Sequence, residues 1–116
     1  MVALKPALLK QLRARDQWCW HCGADTDLVP HHRKNRQAGG SKQREQDVTN
    51  IVLVCALWNG AMESDADMAE KARHYGHKLR SWQATHNPVC DIPSGRWYRL
   101  TSDGGKVETV EDDIPF

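Results

Sequence analysis

The chain of 116 residues has no hydrophobic run near the roughly 18 residues that span a bilayer, so we expect no membrane-spanning segment. Its beginning also lacks the apolar core of about 7–15 residues that marks a secretion signal. We therefore expect a cytoplasmic protein. The sequence contains no internal repeat and no low-complexity segment, and its length predicts a single domain, residues 1–116.

The chain carries almost no net charge, because 16 basic and 15 acidic side chains leave only +1. This charge is unevenly distributed along the sequence. Residues 1–44 hold nine basic and three acidic side chains and so carry +6, whereas the remainder carries −5. Such a split is typical of a protein with one surface that faces nucleic acid and another, acidic surface that faces solvent.

Hydrophobic residues are also few. They make up 40% of the chain, and the mean hydropathy is −0.70. A core of that size often needs a metal ion or disulfide bonds for stability. Four cysteines are present, and in the absence of a secretion signal we expect them to be metal ligands in preference to disulfides.

Local patterns predict a small α+β fold. Leucines at intervals of three to four residues predict an N-terminal helix over residues 4–16. Two extended or β-branched runs predict strands over 28–32 and 50–55, separated by a basic loop over 33–47. A Cys-rich turn over 17–24 precedes the first strand.

The second half of the chain is predicted to begin with a helix from about residue 59 to Tyr75, with His74 and His77 as protonated side chains at its end. Residues 83–95 contain prolines and a glycine and are expected to be a connector. A C-terminal β-hairpin and an acidic tail follow over about 95–116.

Three cysteines have the spacing of a zinc site. A Cys-x-x-Cys pair, Cys19 and Cys22, can turn both sulfurs toward one ion, and Cys55 supplies a third ligand. Trp58 stands three residues later, where a second pair would be completed, and indole cannot bind zinc. Three residues could replace the missing ligand: Cys90, His21 and His86. The alternative is a site without metal, in which the thiols are buried and inert.

Two adjacent histidines, His31 and His32, end the first predicted strand. Neutral imidazole is both a metal ligand and a general base near neutral pH, and a bend after Pro30 could bring both rings to one cleft. On their own the two are more typical of a surface pair beside a basic loop. Asn50 and Asn59 flank the second strand, and each alone is typical of a turn.

Taken in order, these motifs resemble those of the HNH endonucleases, a family with the ββα-metal fold, and in particular its small phage members. The resemblance covers about residues 15–80. It rests on Cys19-Trp20-His21-Cys22, Val29-Pro30-His31-His32-Arg33, Gly39-Gly40, Asp47-Val48-Thr49-Asn50-Ile51-Val52-Leu53-Val54-Cys55 and Asn59-Gly60. The chain departs from the family pattern at Trp58 and at Asn59, where the final His of the name would stand. Some members, including the HNH domain of RNA-guided CRISPR nucleases, also have Asn there.

The resemblance implies a metal-dependent enzyme that hydrolyses DNA phosphodiester bonds. His32 matches the general base that takes a proton from the attacking water, and Asn50 matches the residue whose side chain fixes the adjacent loop. His31 and Asn59 match the ligands of the catalytic ion. We expect Mg²⁺ or Mn²⁺ there, with Ni²⁺ or Zn²⁺ as alternatives. A separate structural Zn²⁺ stays an open alternative at the cysteines: Cys19, Cys22 and Cys55.

The basic loop is expected to contact the phosphates of DNA, which gives sequence-independent, salt-sensitive binding. Its cations are Arg33, Lys34, Arg36, Lys42 and Arg44. A rival interpretation is a non-catalytic zinc-knuckle module that holds DNA or a protein. A weaker one is an accessory factor within a larger phage DNA-processing complex. The resemblance also implies phage proteins, such as those of DNA packaging, as partners in the host cytoplasm.

Overall fold

A computed structural model describes residues 4–34 and 46–109 of the chain. These residues form three α-helices and two antiparallel sheets, so the predicted α+β class is confirmed. The helices are α1 (Pro6–Arg15), α2 (Ala56–Ser64) and α3 (Ala66–His74). The strands are β1 (Leu28–His32), β2 (Ile51–Cys55), β3 (Val89–Asp91), β4 (Arg96–Leu100) and β5 (Lys106–Thr109). No helix in this described part of the chain is both long and apolar enough to cross a membrane.

The first sheet consists of β1 and β2, which the β-branched and extended runs predicted. The pairing runs from Leu28 opposite Cys55 to His32 opposite Ile51. Since successive strand side chains point to opposite faces, β2 contributes to two hydrophobic clusters. Ile51 and Leu53 pack with leucines of α1, whereas Val52 and Val54 pack with Trp58 and the rest of the main core.

Helix α1 lies inside the range predicted for it and begins with Pro6 in its first turn. A buried ion pair between Arg15 and Asp16 lies at its C-terminal end. The Arg15 guanidinium donates hydrogen bonds to the carbonyl oxygens of Val48 and Ile51, and the Asp16 carboxylate accepts one from the Leu53 amide. Both charges are therefore satisfied inside the protein, as buried ions require.

The predicted helix after β2 is two helices, and the first begins at Ala56, directly after the strand. Cys55 caps α2 by accepting a hydrogen bond from the Trp58 amide. Asp65 ends α2 and caps α3 by accepting hydrogen bonds from two amides of the first turn of α3. The cap explains the break, because an N-cap residue has an extended backbone that ends the preceding helix.

The C-terminal hairpin is confirmed as β4 and β5, and β3 adds a third strand at the edge of β4. The connector prediction was wrong at this point, because Val89–Asp91 is too short a run to stand out beside two prolines. Gly76 lets β3 approach the end of α3. It has φ +76, and a Cβ there would lie 2.2 Å from the Pro88 carbonyl oxygen.

Candidate metal sites on the β1–β2 hairpin and helix α2

His31 and Asn59 are brought together from β1 and α2. The His31 Nδ1 atom lies 3.1 Å from the Asn59 Oδ1 atom. On the other side of the ring, His31 Nε2 lies 3.0 Å from the His77 carbonyl oxygen. A carbonyl only accepts, so Nε2 carries the proton and donates it there. The lone pair of Nδ1 therefore faces the Asn59 side chain.

This geometry places two hydrogen-bond acceptors, His31 Nδ1 and Asn59 Oδ1, face to face. A lone pair on Nδ1 and the carbonyl oxygen of an amide repel unless the amide turns its NH₂ group inward or a cation lies between them. Imidazole nitrogen and amide oxygen are both ligands for divalent ions. The arrangement can therefore hold a metal ion through one nitrogen and one oxygen.

His31 is held in the neutral form that a metal ligand needs. Burial, together with the nearby charge of Lys78, lowers its pKa to about 4. The Asn59 and His77 oxygens favour the protonated ring and so act in the opposite direction, but they are outweighed. At neutral pH the ring therefore offers a lone pair without first losing a proton.

His32 is half-buried at the end of β1. The pairing with β2 continues in register through both histidines, so the backbone stays extended after Pro30. Adjacent side chains on an extended strand leave it in opposite directions. The structure thus brings His31 to Asn59, and the alternation of strand side chains predicts that His32 points to the other face of β1.

Asn50 ties the end of β1 to the start of β2. Its side-chain oxygen accepts a hydrogen bond from the Lys34 amide at 2.8 Å, and its NH₂ group donates one to the Lys34 carbonyl at 3.0 Å. Its own carbonyl accepts from the Arg33 amide. Asn50 is fully buried, so these bonds fix the backbone just after the two histidines.

The three cysteines that the sequence singled out form a second candidate metal site. The sulfurs of Cys19, Cys22 and Cys55 all lie within 4.8 Å of one another. The Cys19 sulfur accepts hydrogen bonds from the amides of His21 and Cys55. Such bonds stabilise sulfur when it carries negative charge. The cluster can therefore hold a metal ion through three thiolates.

The thiols of this cluster differ in acidity. Burial raises the pKa of Cys19, whereas a hydrogen bond from the Ala24 backbone is the main cause that lowers the pKa of exposed Cys22. The proposed fourth ligands are not brought in: within residues 4–34 and 46–109 the group holds no further His, Cys or carboxylate. Cys90 is buried in β3 and His86 is exposed.

Trp58 is a packing residue beside the cysteines. Its indole stacks on the His21 ring with centroids 4.0 Å apart. Its Nε1–H donates a hydrogen bond to His77 Nδ1 at 3.0 Å, and His77 Nε2–H donates to the Cys90 carbonyl. The sequence did not predict this network, because its members are 13 to 19 residues apart.

His77 corrects the expectation of a protonated side chain at a helix end. It is fully buried beyond the end of α3, and burial lowers its pKa to about 3. Its ring is therefore neutral and joins Trp58 to β3. Its backbone carbonyl sets the protonation of His31 at the same time.

The predicted nucleic-acid contact through Arg33 was wrong. Its side chain is 1% exposed, and its guanidinium donates hydrogen bonds to five backbone carbonyls. The acceptors belong to Thr49, Gly76, Thr85, Asn87 and Pro88. Burial lowers its pKa to about 9. Arg33 is thus a structural cation that gathers three segments of chain.

Of the other cations in the predicted basic loop, the structure describes Lys34. Lys34 is also buried, with 7% of the residue exposed, which contradicts its expected role on an open DNA-binding face. The other three cations, Arg36, Lys42 and Arg44, lie outside the described residues.

Comparisons with known proteins do not add to this picture. No family model matches the sequence, and searches of curated proteins and of solved structures found no match.

Proposed function

We propose that the protein is a divalent-metal-dependent endonuclease that hydrolyses DNA phosphodiester bonds, with the ββα-metal architecture of the HNH enzymes. The observation that carries this proposal is the 3.1 Å approach of His31 Nδ1 to Asn59 Oδ1. These are the two residues that match the family's metal ligands. They come from the first strand and from the helix, in the order that the resemblance implies.

His31 and Asn59 would hold the catalytic ion, for which Mg²⁺ or Mn²⁺ is the first candidate. The ion would neutralise charge on the phosphoryl and leaving oxygens. The buried His31 ring is neutral and fixed by its bond to the His77 carbonyl, so it binds without reorganising. The short ligand set leaves room for water and phosphate oxygens.

His32 would act as the general base that takes a proton from the attacking water. Because neighbouring side chains of an extended strand point to opposite faces, His32 is not expected to be a ligand of the ion. Asn50 supports this role by fixing the backbone that follows His32.

Cleavage of a supercoiled plasmid with Mg²⁺ or Mn²⁺ tests this function. We expect His32→Ala to reduce the rate by at least roughly 100-fold, the usual contribution of a general base. His86→Ala is the matched control, because His86 is exposed and outside both candidate sites. Equal cutting by wild type and His32→Ala contradicts the assignment of the base. No cutting by wild type with any divalent metal contradicts the enzyme.

The cysteine cluster favours a second candidate function, a non-catalytic zinc module that binds DNA or a protein. Such a module could act as an accessory factor of a larger phage complex. The observation that supports it is the group of Cys19, Cys22 and Cys55. Three thiolates leave one position of a four-coordinate zinc site for another ligand. One zinc per chain together with DNA binding and no cleavage supports the module. Cleavage that depends on His32 rejects it.

A further inference from the structure

Lys78 lies beside the His31–Asn59 pair without a role in the function proposed so far. It follows His77, whose carbonyl oxygen accepts the proton of His31 Nε2. Its own amide donates a hydrogen bond to the Ala72 carbonyl of α3. The backbone of Lys78 is therefore fixed against both the ring of a proposed metal ligand and the end of a helix.

The side chain of Lys78 extends toward the face of α2 that carries Asn59. Its Nζ atom lies 3.8 Å from Glu63 Oε1. Glu63 is four residues after Asn59 on α2, and residues with this spacing share one face of a helix. The ammonium is thus held near the helix face that contributes the amide oxygen to the candidate metal site.

The ion pair with Glu63 leaves the Lys78 ammonium able to bind another anion. A separation of 3.8 Å is longer than a direct hydrogen bond, and the Glu63 side chain is 59% exposed. Exposed pairs of this kind contribute little to stability. The Lys78 side chain is only 17% exposed, so the ammonium is positioned in advance while its partner can turn away into solvent.

A cation beside the His31–Asn59 pair would strengthen the binding of a DNA phosphate that the metal does not contact. Arg33 cannot serve, because its guanidinium is bound to carbonyls inside the protein. Lys78 has the charge, the position and the partly open surface.

We propose that Lys78 binds a phosphate of the DNA backbone beside the His31–Asn59 pair and that Glu63 competes with this phosphate for the ammonium. The proposal rests on the nuclease function proposed above. It makes Lys78 a substrate-binding residue and Glu63 a residue that weakens binding. The two substitutions therefore have opposite effects.

Binding of a fluorescent DNA duplex without added divalent metal, measured by anisotropy over a series of salt concentrations, tests this proposal. We expect Lys78→Met to weaken binding about tenfold at low salt and to reduce the slope of log affinity against log salt by about one. Lys78→Arg should retain both. Glu63→Gln should strengthen binding several-fold, and the double variant should bind like Lys78→Met.

Lys10→Met is the matched control, because it removes one exposed positive charge from α1. The Lys10→Met variant should bind DNA more tightly than Lys78→Met. The affinity that it loses should be the same whether or not Glu63→Gln is also present. A purely structural ion pair would lower the thermal midpoint equally for Lys78→Met and Glu63→Gln and would leave DNA affinity unchanged in both. That result overturns the proposal, as does a wild type that does not bind DNA.

A cleavage assay on the same variants separates this proposal from the nuclease function. Lys78→Met should raise KM for plasmid more than it lowers kcat. If the wild type cleaves nothing but Lys78→Met still loses affinity and salt slope, the phosphate site stands and the nuclease function fails. If the wild type cleaves and Lys78→Met has an unchanged KM, the phosphate site fails alone.

Discussion

Arg33 illustrates how a single residue can reverse an interpretation based on charge. In the sequence it begins a basic run after two histidines, which is typical of a phosphate-binding loop. In the structure its buried guanidinium donates hydrogen bonds to five backbone carbonyls. The difference arises because its acceptors come from segments 16 to 55 residues away, which no local pattern reveals.

Replacing Arg33 should destabilise the protein strongly. We expect Arg33→Met to lower the free energy of unfolding by about 3–5 kcal/mol, because several buried carbonyl oxygens lose their donor together. Arg13→Met on α1 is the control, and it should change the value by no more than about 0.5 kcal/mol because Arg13 is exposed. Urea denaturation measures both. Equal stability of the two variants would contradict the structural role of Arg33.

The buried histidines predict how stability changes with pH. The pKa values of His31 and His77 are lowered to about 4 and about 3, below the value of about 6.5 for unfolded histidine. Between pH 6.5 and 4 the unfolded chain therefore binds more protons than the native protein. The native state is favoured above this window and loses stability as pH falls through it.

We expect a slope of up to about 1.4 kcal/mol per pH unit for each of these histidines within the window. Denaturation at pH 7, 6 and 5 measures it, and His77→Gln should flatten the dependence. His86→Gln, at an exposed site, should leave it as in the wild type. A His77→Gln slope as steep as that of the wild type would show that His77 is not buried in neutral form.

Among the elements, the junction of α3 with β3 depends on one glycine. A side chain at position 76 would meet the backbone of Pro88 and would require a strained φ of +76. We expect Gly76→Ala to lower the melting temperature by several degrees, at a cost of more than about 1 kcal/mol. Since Tyr75, Gly76 and His77 lead from α3 to the His31 contact, this strain should also reduce the cleavage that we propose.

Gly60 provides the matched control for that substitution. It lies in the middle of α2, and a Cβ there would have no atom within 4 Å. Alanine is the better helix former, so Gly60→Ala should stabilise the protein by up to about 1 kcal/mol. The same chemical change thus has opposite signs at the two positions. A loss of stability at both would contradict the described backbone.

The elements that the sequence predicted are those whose signal is local. The leucines of α1, the β-branched run of β2 and the hairpin of β4 and β5 each carry their pattern within a few residues. The approach of His31 to Asn59 was expected only through the resemblance to HNH enzymes. The Trp58–His77 bond and the strand β3 could not be predicted, because both depend on tertiary contacts with chain far away in sequence.

At the scale of the whole molecule, the cysteine cluster joins the Cys-rich turn after α1 to the start of α2. A bound zinc ion should therefore stabilise the entire fold. We expect purified protein to contain one zinc per chain and its removal by a chelator to lower the melting temperature by more than about 10 °C.

Variants test which thiols hold the ion. Cys55→Ser should lose the zinc, as measured by elemental analysis, whereas Cys90→Ser should keep it, because Cys90 lies outside the cluster. Retention of one zinc per chain by Cys55→Ser would contradict the site. The control is informative because both cysteines are at least partly buried and undergo the same substitution.

Strand β2 contributes side chains to both hydrophobic clusters, with Ile51 and Leu53 in one and Val52 and Val54 in the other. Because one strand belongs to both clusters, we expect the two clusters to unfold as one cooperative unit. The amide hydrogens of β2 should consequently exchange with deuterated solvent only when the entire molecule unfolds. Their protection would then report the global stability, and α1 would melt in the same transition as the cysteine cluster.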